Sequence, residues 1–323
     1  MLFVLTSGAV AAGCAPLSPR PELKPTNEAN RSAGFRTGAA PVSEAKPAPP
    51  LELILCGADE VFILSLDPNL AVEPRKIWSW RAAECLDLPV ARWRAFGTTD
   101  DCKPVAGGKQ ILISSSSGAV ALVERETRKM LFHATVPAAH SIEMLPNGRI
   151  AVAAASTEEP GANRIVLFDV TSGRELASDK LVAAHGVVWD ESRIRLWALA
   201  SGVLRAYTLT EGPDQPPRLK VEFETRLPEA DGHDLSPVPG SPRLFVSTAK
   251  HCWYFDRDTR QFAPHDLLAD RRYVKCCSVH PATGRIAFIQ SEGTDWWAER
   301  VHLLNPEGVL RLPGQRLYKA RWA

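Results

Sequence analysis

Three histidines, His140, His185 and His233, recur at spacings of 45 and 48 residues in a chain of 323. Neutral imidazoles are ligands for zinc, manganese, iron or nickel, and a set of three leaves a coordination position open for water or substrate. Charged residues fall into the same slot elsewhere in the chain: Asp100 or Asp101 before the histidines, Lys275 after them, and then Lys319 with Arg321. Ammonium and guanidinium groups there would hold an anion such as a carboxylate. Asp231 and Asp234 flank His233 and could orient imidazoles as hydrogen-bond partners. The second reading needs no metal: a polar cup that binds a saccharide or a small anion. A third makes the histidines structural, each bonding the backbone of a neighbouring repeat.

All three readings require residues far apart in sequence to converge on one point, and the repeat pattern supplies the means. After residue 50 the chain becomes a series of short runs rich in Val, Ile, Leu and aromatics, such as LELILCG, EVFILSLD, RIAVAAA, RIVLFDV and RIAFIQS. Such runs read as strands. A turn precedes a strand at Gly108, Gly148, Ser192, Pro242 and Gly284, at successive spacings of 40, 44, 50 and 42. A polar turn follows a strand at Asp67, Glu124, Asp169, Asp256 and Asn305. Asp67, Asp169 and Asp256 are expected to cap these turns rather than to act on a substrate. A period in the forties is that of propeller blades. Blades are expected near 101–137, 138–182, 183–228, 231–272 and 273–315, with residues 51–82 as the remaining strands of another. The terminal Leu317–Trp322 stretch would supply that blade's missing inner strand and close the ring. The fold expected is all-β, a single six-bladed propeller over 51–323. Residues 83–100 are expected as a long inter-blade loop; seven blades would follow if they hid strands.

In a propeller the first strand of each blade lines the axis, so His140, His185, His233, Asp101, Lys275, Lys319 and Arg321 would face one another there. His133, His251, His265, His280 and His302 fall out of register and are expected on the surface or in loops. Trp78, Trp80 and Trp253 are expected between blades. Trp296-Trp297 lies in a hairpin loop, where it either packs the loop down or offers a stacking face to a sugar.

The N-terminal MLFVLTSGAVAAG followed by Cys14 has the apolar and small-residue pattern of a signal peptide, expected over 1–14. Val10-Ala11-Ala12-Gly13-Cys14 resembles the bacterial lipobox, which implies lipidation of Cys14, export, and attachment to the cell envelope by lipid alone. Residues 15–50, rich in Pro, Ala, Glu and Ser, read as a tether. A net charge of +1 gives no basic face for nucleic acid. A monomer is expected. Of the remaining cysteines, Cys85 with Cys102 is the disulfide expected, while Cys276 and Cys277 are expected to pack.

The repeats resemble exported bacterial propellers of the six- and seven-bladed type. Cys56-Gly-Ala-Asp-Glu-Val-Phe, Ala139-His140-Ser, Gly232-His233-Asp and Tyr318-Lys319-Ala-Arg321-Trp322 resemble an uncharacterised six-bladed bacterial family, a likeness that implies a fold and no activity. The histidine set distantly resembles the oligogalacturonate lyase propellers, although their clustered His-x-His ligands have no counterpart here. That resemblance implies a divalent transition metal on His140, His185 and His233, lyase or hydrolase chemistry on acidic saccharides, and a base among Tyr273, Tyr318 and the lysines.

Overall fold

The computed structural model describes residues 49–156, 158–212 and 215–323. The signal-peptide and lipobox expectations, Cys14 included, lie outside them, as does most of the tether. Among the described residues, 24 strands form six four-stranded antiparallel sheets. The six-bladed expectation holds.

The first blade has Lys319–Trp322 as its inner strand, then Leu51–Gly57, Glu60–Leu66 and Arg75–Arg81. The second runs from the inner Thr99–Val105 through Gln110–Ser115 and Ala119–Glu124 to Met130–Thr135. The third starts at Ala139–Leu145, the fourth at Ala184–Asp190, the fifth at Asp234–Pro237 and the sixth at Val274–Val279. Each inner strand packs on the next, and that of the sixth blade packs on Lys319–Trp322, so the six surround one axis. The ends of the ring are joined within the first blade, where Leu53 pairs with Trp322 and Cys56 with Lys319.

Burial explains the sequence pattern. Second and third strands are covered on both faces by neighbouring blades and read as nearly unbroken apolar runs, such as Gln110–Ser115 and Ala119–Glu124. Outer strands have one wet face and alternate, as Met130–Thr135 does. The core therefore lies between blades. Trp78 and Trp80 join Ile111, Ile113 and Val123 between the first and second blades.

There is no seventh blade among the described residues, and residues 82–98 contain no strand. They form two short 3-10 helices, Ala82–Glu84 and Val90–Phe96. Phe96 is buried edge-on against Trp80, with ring centroids 5.3 Å apart. Turn-capping by aspartate also holds: Asp67 accepts from the Asn69 N–H, Asp169 from Ser172 and Asp256 from Thr259.

One expectation is corrected. No disulfide joins Cys85 to Cys102; both are buried free thiols, and the sulfur beside Cys102 is that of Cys56 in the adjoining blade. His265 lies in a loop, as expected, but is 1% exposed, stacked on Tyr254 with its Nδ1 accepting the Leu267 and Leu268 N–H groups.

Candidate functional site

The inner strands all run the same way along the axis, so their N-terminal ends gather at one mouth of the ring. Asp100, His140, His185, His233 and Lys275 each stand at such an end. Four of them are placed by a β-bulge. Pairing skips one residue between Thr99 and Asp101, Ala139 and Ser141, Ala184 and Gly186, and Val274 and Cys276. The residues left over are Asp100, His140, His185 and Lys275. A bulge frees a residue from the pleat and re-aims its side chain. His233 achieves the same position by standing just ahead of its strand, its N–H bonded to Ser247.

A second repeated device fixes the rings. The residue two places before each histidine has positive φ: Ala138 (51°), Ala183 (56°) and Asp231 (65°). A left-handed residue other than glycine costs about 1–2 kcal/mol. The turn aims its carbonyl at the imidazole that follows. Nδ1–H of His140 donates to the Ala138 carbonyl at 2.8 Å, that of His185 to Ala183 at 2.9 Å, and that of His233 to Asp231 at 3.0 Å. With Nδ1 protonated in the neutral ring, Nε2 carries the lone pair and acts as the acceptor. Tyr273, at φ 56°, stands in the same relation to Lys275.

The rings lie side by side. His140 and His185 have centroids 4.5 Å apart, and His185 and His233 5.4 Å. Burial, then the neighbouring His140 and His233, holds the His185 pKa well below the ordinary histidine value. Burial and Lys275 bring His233 down to about 4. Burial brings Lys275 down to about 8, with Asp231 opposing. Burial pushes Asp100 up to about 6 against the pull of His140 and of bonds from Ser116. At neutral pH His185 and His233 are thus neutral, on a mouth that also carries the Asp100 carboxylate and a lysine close to its own pKa.

Asp101, Lys319 and Arg321, expected on the channel wall, lie below this mouth and bond to one another. Arg321 Nε donates to Asp101 Oδ1 at 3.2 Å, while Nη1 and Nη2 donate to Asp234 at 3.1 and 2.6 Å. Lys319 Nζ is 3.2 Å from Asp234 and 3.8 Å from Asp101, paired by charge but off the hydrogen-bond direction. Lys103 and Glu143, which sequence reasoning missed, complete the set with a 2.9 Å bond to each other, and Lys103 also reaches the Val187 carbonyl at 2.6 Å. Three cations and three carboxylates plug the axis. Burial works to raise the Asp101 and Asp234 pKa values, but Arg321 and Lys319 overcome it and hold both well below the carboxylate range. Asp234 is therefore part of the plug; the group that orients His233 is the Asp231 carbonyl, not a carboxylate.

Lys103 and Glu143 carried a signal. Each follows its blade's mouth residue, Asp100 or His140, by three positions, where an inner strand should have apolar or small residues.

Among the described residues, no group of three or more His, Cys, Asp or Glu side chains is arranged to hold a metal ion. The imidazoles form a row rather than a cage. Their backbone bonds run to the turns that lead into their own strands, not to a neighbouring blade as the structural reading expected. On the same face, Trp296 is 42% exposed with its ring 5.6 Å from that of Tyr318, and Tyr273 is 48% exposed. Trp297 is half-buried under Arg316.

No curated protein matches this chain. A family model matches residues 65–323, taking in all three histidines, the plug and the closing strand. The chain belongs to that family, a family of unknown function named DUF6528.

Proposed function

We propose that this propeller is an exported recognition module, tethered to the bacterial envelope through Cys14, whose imidazole mouth binds a saccharide or a small anion. The observation that carries the reading is the row of three rings, each locked through Nδ1–H so that Nε2 is left as an acceptor. Acceptors held in a row suit the hydroxyls of a sugar. Trp296 and Tyr273 offer aromatic faces at the same end, and Lys275 suits an acidic substituent. Nothing in this arrangement calls for bond breaking.

The test is calorimetric titration of the protein with neutral and acidic monosaccharides and short oligosaccharides, beside a His185→Asn variant. Asn retains an N–H for the Ala183 carbonyl and removes the Nε2 acceptor. Binding weakened about tenfold or more by this change supports the reading; binding indifferent to it refutes the site.

The other reading is metal-dependent chemistry on an acidic saccharide. In its favour, a histidine that ligates a metal commonly gives its other ring N–H to a carbonyl, as these three do. Elemental analysis of the purified protein separates the two: one equivalent of a transition metal, lost in a His140→Ala/His185→Ala variant, selects the metal reading.

A further inference from the structure

Beyond the plug, the axis opens at the C-terminal ends of the inner strands. A cavity of about 220 Å³ lies there, lined by residues from five of the six inner strands or their ends. Pro104, Leu235, Pro237, Val279 and Trp322 make its walls. Lys103 and Glu143 make its floor, with side chains 12% and 18% exposed.

We propose that this opposite mouth is a second ligand pocket, independent of the imidazole mouth, that takes a small apolar ring bearing a hydroxyl group.

The size argues for one ring. A cavity of about 150 Å³ accommodates benzene, so this one admits a six-membered ring with a small substituent. The walls argue for an apolar body, since prolines, aliphatic side chains and the indole face offer it dispersion contacts, the one polar side-chain atom among them being the unpartnered Trp322 Nε1–H, a further donor. The floor argues for a hydroxyl over a charge. Lys103 is paired with Glu143 and bonded to Val187, and Arg321 is committed to Asp101 and Asp234. No net charge is left to attract an ion. Two polar groups keep capacity. The Glu143 carboxylate receives a side-chain bond from Lys103 and has further lone pairs. Ser278 Oγ accepts the Trp322 N–H, which leaves its own O–H to donate. One acceptor beside one donor is what a hydroxyl pairs with. Burial also keeps the Glu143 pKa above its ordinary value despite Lys103, as befits a carboxyl exchanging hydrogen bonds in an apolar cup.

Phenol is the probe and toluene its control, titrated into the full protein with ligand-observed NMR as the readout. Phenol is expected to bind in the millimolar range and toluene about tenfold more weakly, the difference being the hydroxyl's bonds. Val279→Trp, which fills the cup, should abolish phenol binding. Glu143→Gln and Ser278→Ala change little volume and should each weaken it severalfold, so they carry the test if the tryptophan variant does not fold. His185→Asn should leave phenol binding unchanged, which separates this pocket from the imidazole mouth. No phenol binding, equal binding of toluene, or phenol binding that survives in Val279→Trp or is untouched by both smaller changes overturns the proposal.

Discussion

Arg321 on the last strand grips Asp234 across the axis, its Nη1 and Nη2 on the two carboxylate oxygens at 3.1 and 2.6 Å. The two belong to non-adjacent blades, the first and the fifth, and Arg321 also bonds Asp101 in the second. Nη1 also reaches the Cys277 carbonyl of the sixth at 3.4 Å, so one side chain ties four blades together at the centre. A buried ion pair adds little over an apolar replacement of the same shape, but breaking one side of it is costly. Arg321→Met should lower unfolding free energy by about 3–5 kcal/mol, because Asp101 and Asp234 lose their principal partner. Adding Asp234→Asn should recover part of that loss. Urea midpoints for the three proteins check both statements, and a single-variant loss under about 1 kcal/mol contradicts the plug as described.

The closing segment crosses the first blade at Gly57. A Cβ there would lie 1.8 Å from the Arg316 carbonyl oxygen and 2.9 Å from the Leu317 Cα. Both are backbone atoms and cannot swing aside. Gly57→Ala should therefore push the closing strand off its register and cost about 3 kcal/mol, the upper range for overpacking. Gly202→Ala, with nothing within 4 Å, should change stability by less than about 0.5 kcal/mol. Thermal unfolding of the pair distinguishes a steric cause from a general intolerance of substitution.

Acid should weaken the fold before it reaches the plug. Below the ordinary histidine value of 6.5, the unfolded chain protonates His185 and His233 while the folded chain keeps them neutral, His233 down to about 4. The unfolded state then binds more protons, so stability falls as pH falls through that window. Asp100 works the other way, since its folded carboxyl takes a proton near pH 6, above its unfolded value of 3.8. His265, also brought down to about 4 by burial, and the lowered His280 and His302 add to the loss, while Glu143, raised by burial, joins Asp100; the histidines outnumber the carboxyls and the net slope should be a loss. Asp101 and Asp234, both held low, add their loss only below 3.8. Urea midpoints at about pH 7.5, 6 and 5 should decline in the native protein and decline less steeply in His185→Asn/His233→Asn.

All six cysteines beyond Cys14 are buried and unbonded. In the native protein a thiol reagent should therefore label none of these six, and all six should react after denaturation. A reductant should leave the melting temperature unchanged. A thiol count two or more below six in denaturant without reductant would show bonds that this arrangement lacks.

The ring was legible in sequence because each blade repeats the same demands. A second or third strand covered on both faces has to be apolar throughout, and a tight hairpin needs an aspartate or a glycine, so both signals return every forty-odd residues. His140, His185 and His233 kept the register and do meet. What was not legible is how they meet. The bulges at Asp100, His140, His185 and Lys275 leave no mark of composition, and they shift which of two adjacent residues faces the axis. That is why Asp100 stands at the mouth while Asp101 lies in the plug. The Asp234 carboxylate, adjacent to a histidine in sequence, serves Arg321 instead, because His233 stands ahead of the strand at the mouth while Asp234 opens the strand and lies in the plug. Cys85 and Cys102 are joined by one connection in sequence, yet Cys102 meets Cys56 across a blade boundary, a pairing set by ring order that no local spacing encodes.

The closing strand sets an order on assembly. Residues 319–322 bring Lys319 and Arg321 to carboxylates that every earlier strand has already gathered. A nascent chain that has emerged only as far as the sixth blade holds Asp101 and Asp234 close together with neither of those cations, and like charges at the axis resist collapse. Closing the ring and neutralising its centre are thus one step, and a product cut short before Lys319 is left with Asp101 and Asp234 lacking two of their cations.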